Sequence, residues 1–269
     1  MKLDVERRGS RSAVTRRQHV GPVYIQRPLY PEPDGTAHIM LLHPPGGVVQ
    51  GDEIVFDIAV GREARALVTT PSAAKLYRSP DRASSQRVSL TVGAGAEAEW
   101  LPQETIVFDG AQGRTALDVD LAADARLIAW EVWMLGRPAA GEAFDHGVYD
   151  GRLRVCIDGR LCWHERTYVP GRQDSRFQDA PWGLAGARAV GTLIAYHPQG
   201  FDEDQVAGVR QQLADSGIVH GVTRVENLMI VRTMGAEPRF LLAPMRLVWQ
   251  WLRPRIFDKP AIAPRIWAT

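Results

Sequence analysis

Residues 43–52, HPPGGVVQGD, place four residues between Gly46 and Gly51, the glycine spacing of a phosphate-binding P-loop. Such a loop wraps phosphates in successive backbone N–H groups, and its last glycine is followed by Lys and then Ser or Thr. Here Asp52 and Glu53 follow, so a carboxylate that would repel phosphate stands where the ammonium belongs. The next segment, EIVFDIAV, alternates and is β-branched, which suits a strand and not the helix a P-loop requires. Gly46, Gly47 and Gly51 therefore read as a tight turn between two strands.

Cys156 and Cys162, with His164 close by, invite a metal reading. An Asp158-Gly159 hairpin turn would set Cys156 opposite Leu161 and Val155 opposite Cys162. The two thiols then face opposite sides of the ribbon and share neither a metal nor a disulfide, so both read as core cysteines. The histidines at 19, 38, 43, 146, 164, 197 and 220 show no ligand-pair spacing, and no Gly-x-Ser-x-Gly elbow is present. Nothing local specifies a catalytic site.

Carboxylates inside apolar strands are more informative. Glu131 lies in LIAWEVWML, Glu165 in LCWHERTYV, and Glu104 and Asp109 in WLPQETIVFDG. The hairpin register puts Glu165 on the ribbon face of Leu161, Trp163 and Cys156. A buried carboxyl group takes up a proton unless it is paired, hydrated or visited by a cation. Two readings stay open for each: a structural pair with one of the many arginines, or a water-filled interior lined by acids.

The elements that must position these groups are mostly strands. Candidates are 22–27, 36–42, 53–60, 64–70, 86–92, 96–101, 104–108, 115–121, 125–134, 146–157, 160–169, 187–196, 218–223 and 227–233. Short-interval turn signals point to stacked or sandwiched antiparallel sheet, and the spacing is too irregular to assign a solenoid repeat. Two helices are expected late in the chain. Segment 202–215 opens on three acids and carries one apolar stripe of Val206, Val209 and Leu213; segment 244–253 runs from Pro244 to Pro254. The Pro-rich apolar tail, 254–269, should lie against its own sheet or a partner surface.

At 269 residues the chain can bury a core as one domain, 1–269, with a basic and loosely held N-terminal segment over 1–18. A net charge of +1 argues against nucleic acid or an anionic membrane as partner. Of the 32 basic residues only Lys2, Lys75 and Lys259 are lysine, which singles out Lys75 in the interior of the sequence. Two cysteines, no membrane-length apolar run and no apolar stretch after the early arginine pairs give the expectation of a cytoplasmic protein.

Several blocks together resemble the urease accessory protein UreD family, also called UreH. They are HVGPVYIQRPLYPE, LLHPPGGVVQGD, TTPSAAKLYRS, WLPQETIVFDGA, LGRPAAGEAFDHG and PRIWAT, running from about residue 19 to 269. The resemblance implies a mainly β fold, a stack of short strands like a β-helix with two helices in the C-terminal part. It implies a non-enzymatic maturation chaperone that joins urease apoprotein to UreF, with UreF recruiting the GTPase UreG. GTP would be bound by UreG, not by this chain, in a complex expected to hold two copies of it. It also implies that nickel passes in transit through a water-filled interior, with no tightly bound cofactor. Carried onto this sequence, Asp52, Glu131 and Glu165 become the passage acids. Lys75 and Arg78, in TTPSAAKLYRS, either pair with interior acids or sit in a capped surface turn. Trp249, Trp251, Ile262, Ile266 and Trp267 become candidates for docking UreF. A pure assembly scaffold with no conduit stays open as the alternative.

Overall fold

The computed structural model describes residues 1–268. The chain opens with a hairpin of β1 (Lys2–Arg8) and β2 (Arg11–Gln18), followed by β3 (Tyr24–Ile25) and β4 (Ala37–Leu42). It then winds in coils. The first is β5 (Glu53–Val60), β6 (Arg65–Thr69) and β7 (Ala74–Leu76); the second is β8 (Ser84–Val92), β9 (Glu97–Trp100) and β10 (Thr105–Val107). The third has β11 (Gln112–Leu121) and one long strand, β12 (Arg126–Leu135). The hairpin of β13 (Val148–Ile157) and β14 (Arg160–Pro170) follows, then β15 (Ala189–Tyr196), α1 (Glu203–Ala214), β16 (Val219–Val225), β17 (Leu228–Gly235) and α2 (Arg239–Phe257).

These strands form two facing sheets, a seven-stranded one in the order β14-β13-β11-β8-β5-β1-β2 and a ten-stranded one led by β16-β17-β15-β12-β9-β6-β4-β3. Their centres are parallel, which corrects the antiparallel expectation. Parallel neighbours normally need a crossover. Here each strand of one sheet returns by way of a strand in the other, so the chain coils like a β-helix. The corners use left-handed residues such as Glu63 (φ 54°) and Gly95 (φ 62°), so they look like hairpin turns in sequence. Gly159 (φ 75°) does close the expected β13–β14 hairpin.

Alternation of side chains splits the apolar residues of the ten-stranded sheet between two cores. Leu127, Ala129, Trp133 and Leu135 of β12 face the space between the sheets, whereas Ile128, Trp130, Val132 and Met134 face α1 and α2. Helix α1 has the expected stripe of Val206, Val209 and Leu213, and Asp202 and Gln205 form a capping box at its start. Helix α2 is longer than the prolines suggest. Pro244 and Pro254 both lie inside it, because burial of Leu241, Leu242, Met245, Val248, Trp249, Leu252 and Ile256 along one side outweighs their lost donors.

Residues 1–18 are not loose. Leu3 and Val5 are fully buried, and β1 pairs in parallel with β5. The tail packs on its own body: Trp267 stacks on Trp130 at 5.5 Å, meets Trp249 edge-on at 5.2 Å and lies under Arg246 at 4.7 Å.

Candidate functional site: an acid-lined interior

The ten-stranded sheet is broken once along its length. β6 stops before Thr70-Pro71-Ser72-Ala73 and β9 stops before Leu101-Pro102-Gln103-Glu104, after which β7 and β10 resume pairing. Each break holds a proline, which cannot donate to a ladder. β12 runs straight past the gap, paired with β9 through Ala129 and with β10 from Trp133. Glu131 sits in the stretch that has no strand neighbour on that side, on the strand face that looks between the sheets.

A cavity of about 210 Å³ occupies this gap. Its walls include His43, Gly46, Gly47, Lys75, Trp100 and Glu131, and it reaches the surface at the exposed Pro44 and Ser72. The indole Nε1 of Trp100 is buried without a protein partner, so the space suits water. On the other side of Glu131 lies a cell of about 20 Å³, bounded by Trp133, Tyr149, Glu165, Thr167 and Thr192 among others. That is room for about one water. Trp133, Glu165 and Thr167 then separate the cell from a cleft of about 640 Å³, which opens where Tyr168 and Val219 are exposed. The three spaces are strung in series on Glu131 and Glu165.

Sheet register builds this line. Glu131 is opposite Thr192, Thr192 is opposite Arg232, and Arg232 is opposite Gly221, so one inward row runs from the middle of the sheet to its edge. Glu165 comes from the facing sheet, opposite Leu153. A bulge between Val155 and Cys156 sets Val155 opposite Trp163 instead of Cys162. Glu165 and Trp163 therefore share a face with Leu153 and Val155, not with Cys156 and Leu161 as expected. Leu161 is exposed, and both cysteines are free thiols.

The two interior acids differ in their partners. Glu165 accepts a 2.6 Å bond from Arg232. Glu131 has no hydrogen-bond or ion-pair partner among the described residues. Burial, and then the negative charge of Glu165, push its carboxyl group up to about 8. Tyr149 is raised for the same reasons, burial first and then Glu131, although it shares a 2.8 Å bond with Thr115. His43 is lowered by burial, with Asp52 opposing, so it offers a neutral imidazole to the outer cavity.

The other expected site residues are placed differently. Asp52 is exposed on the outer turn and does not join the interior acids. Gly46 (φ 75°) and Gly51 (φ 80°) make two consecutive turns instead of one, and a side chain on Gly47 would collide with Tyr77. Lys75 lines the outer cavity and Arg78 is exposed; neither forms an ion pair with an acid among the described residues. Asp109 is a loop clamp that accepts the backbone N–H groups of Asp145 and His146 at 2.8 Å each. Trp249 is fully buried and offers no docking surface; its indole donates to Glu99 at 2.6 Å. Trp251 packs on Gly208 with Arg255 over its ring, Ile262 is half-buried, and Ile266 lines a groove beside Leu29 and Tyr30. His43, Trp100, Thr192 and Arg232 join the site without having been expected there. Only Arg232, an arginine inside the apolar run LMIVRTMG, carries a signal in the sequence.

The family described as UreD urease accessory protein matches residues 1–268. The chain belongs to the UreD family. The urease accessory protein UreD of Dechloromonas aromatica (strain RCB) is 40% identical over 269 residues, covering 99% of this chain and 93% of that protein. The UreD protein of Alkalilimnicola ehrlichii is 41% identical over 272 residues, covering 100% and 90%, and that of Klebsiella aerogenes is 38% identical over 261 residues, covering 97% and 93%. This UreD-family chain is thus a urease accessory protein built on a β-helix-like frame, and no helix among its described residues is long and apolar enough to cross a membrane.

Proposed function

We propose that this UreD-family chain joins urease apoprotein to UreF and UreG in the cytoplasm, as two copies per complex, and passes nickel through its interior to urease. The observation that carries the reading is the series of three spaces strung on Glu131 and Glu165, with Glu131 unpartnered among the described residues. A carboxyl group held near pH 8 keeps its proton at neutral pH, so an arriving cation must displace that proton and is held weakly. Weak holding is what transit requires, because each ~1.4 kcal/mol of extra affinity slows release about tenfold. Oxygen ligands suit this better than clustered His and Cys, which Ni²⁺ prefers. The chain itself catalyses no small-molecule reaction in this reading, and GTP belongs to UreG.

One observation favours the alternative of a pure scaffold. Lys75 puts an ammonium, without an ion-pair partner among the described residues, on the wall of the outer cavity, and it would repel a cation there. Activation of apo-urease by nickel-loaded UreG, UreF and this chain separates the two readings. Glu131→Gln should assemble on a sizing column as the unaltered chain does, yet leave urease inactive. Full activation by the assembled variant would overturn the conduit and leave the scaffold.

A further inference from the structure

The narrowest point of the interior is the cell between Glu131 and Glu165. At about 20 Å³, room for about one water, it cannot admit a cation with its full hydration shell. A cation there must exchange water for carboxylate oxygens. Beyond the wall of Trp133, Glu165 and Thr167, the 640 Å³ cleft is lined by Arg232, which is bonded to Glu165. The guanidinium spans from the ten-stranded sheet to Glu165 of the seven-stranded sheet, so the ion pair ties the two sheets together at their open ends, beside the edge strands β14 and β16. The partners are unequal in exposure: the Arg232 side chain is 45% exposed and that of Glu165 only 15%. In the same position the Arg232 guanidinium also lies over the ring of Trp163 at 5.9 Å.

We propose that Arg232 is the exit gate of the passage: it and the transiting divalent cation compete for Glu165, and its return to Glu165 ejects the cation into the outer cleft. The inference rests on the conduit reading and adds its direction and release step. In the resting state Glu165 is neutralised by Arg232, so the cell holds no strong cation trap. A dication arriving at Glu131 repels the guanidinium and attracts Glu165, and Arg232 swings out along its exposed side. When it swings back, the guanidinium displaces the ion from its oxygen ligands. Thr167, which donates to Glu165 at 3.4 Å, steadies the carboxylate while Arg232 is away.

The test uses the full chain with nickel chloride as probe, in equilibrium dialysis, and single-turnover activation of apo-urease with UreF and nickel-loaded UreG. Arg232→Gln should bind nickel at least tenfold more tightly than the unaltered chain and activate urease at least tenfold more slowly, with the same final assembly. Arg232→Lys keeps the charge and should restore most of the rate, which a merely structural role for Arg232 would not require. Unchanged affinity and rate in Arg232→Gln overturn the gate, and so does equal slowing in Gln and Lys without tighter binding. Glu131→Gln run alongside separates the two levels. If it activates normally, the passage itself is absent. If it collapses while Arg232→Gln is silent, only the gate is lost.

Discussion

Glu99 and Glu131 lie on adjacent strands of one sheet, β9 and β12, and point to opposite faces of it. Their surroundings could hardly differ more. Glu99 faces α2, where Arg253, itself fully buried, grips both its oxygens at 3.0–3.1 Å and Trp249 adds a 2.6 Å bond. The same guanidinium reaches Glu32 at 2.6 Å and also donates to the carbonyl of Pro260. Lys259 continues the network to Glu97 at 2.7 Å and Asp34 at 3.1 Å. Burial would raise Glu32 and Asp34, but hydrogen bonds from His38 and Arg253 lower the first. Thr36 and Lys259 bring the second down to about 2. The carboxylates of that region fasten the C-terminal helix and tail to the coils. Glu131 fastens nothing. A buried acid with complete partners is explained by folding, whereas one left facing a cavity asks for a ligand.

The largest effect should come from removing the shared cation of the first region. Arg253→Met keeps bulk and apolar stem but leaves Glu99 buried without a counter-charge and Glu32 with only Lys259 at 3.9 Å, a situation that costs about 3–5 kcal/mol. Urea unfolding at pH 7 checks it. A loss under about 1 kcal/mol would mean that the network does not hold the tail and would dissolve the contrast.

For Glu131 the expected sign is opposite. Its folded-state carboxyl group is raised from 4.5 to about 8, so the favourable balance is complete below pH 4.5 and is lost as pH climbs through about 8. Gln does not titrate. Glu131→Gln should match the unaltered chain in stability near pH 4 and exceed it by about 2–4 kcal/mol at pH 9, given ~1.4 kcal/mol for each tenfold change in proton affinity and a discount for cavity solvent. Thermal melts across that range decide it. Destabilisation of the variant at every pH would make Glu131 a structural residue like Glu99.

What the sequence discloses follows the same division. Periodicity and turn residues locate most strands and α1, because those signals are local. The parallel order of the strands is hidden, since a solenoid corner at Glu63 or Gly95 uses the same left-handed residues as a hairpin. Coil offsets also change, from Arg65/Glu97 to Glu97/Arg126, so no fixed repeat shows. Glu131 and Glu165 are legible as acids in apolar runs, but a single bulge reverses the face expected for Glu165. EAEW of β9 reads as an ordinary strand, although Glu97 and Glu99 alternate there with Ala98 and Trp100. Their partners Arg253 and Lys259 lie in the last helix and tail, far along the chain, and no local pattern joins them.

Asp52 offers the smallest expected effect and a useful edge to the comparison. The resemblance groups it with Glu131 and Glu165, yet it stands exposed on the outer turn, without an ion-pair partner among the described residues. Water already solvates its charge, so Asp52→Asn should shift stability by no more than about 0.5 kcal/mol. Its field reaches His43 on the wall of the outer cavity and opposes the lowering by burial. Losing that field leaves His43 neutral at pH 7, as before, so activation of apo-urease should change less than about twofold. A collapse of activation in Asp52→Asn with Glu131→Gln intact would invert the argument. The cation would then be handled at the exposed turn, in water, and the unpartnered acid between the sheets would have to be explained by something other than transit.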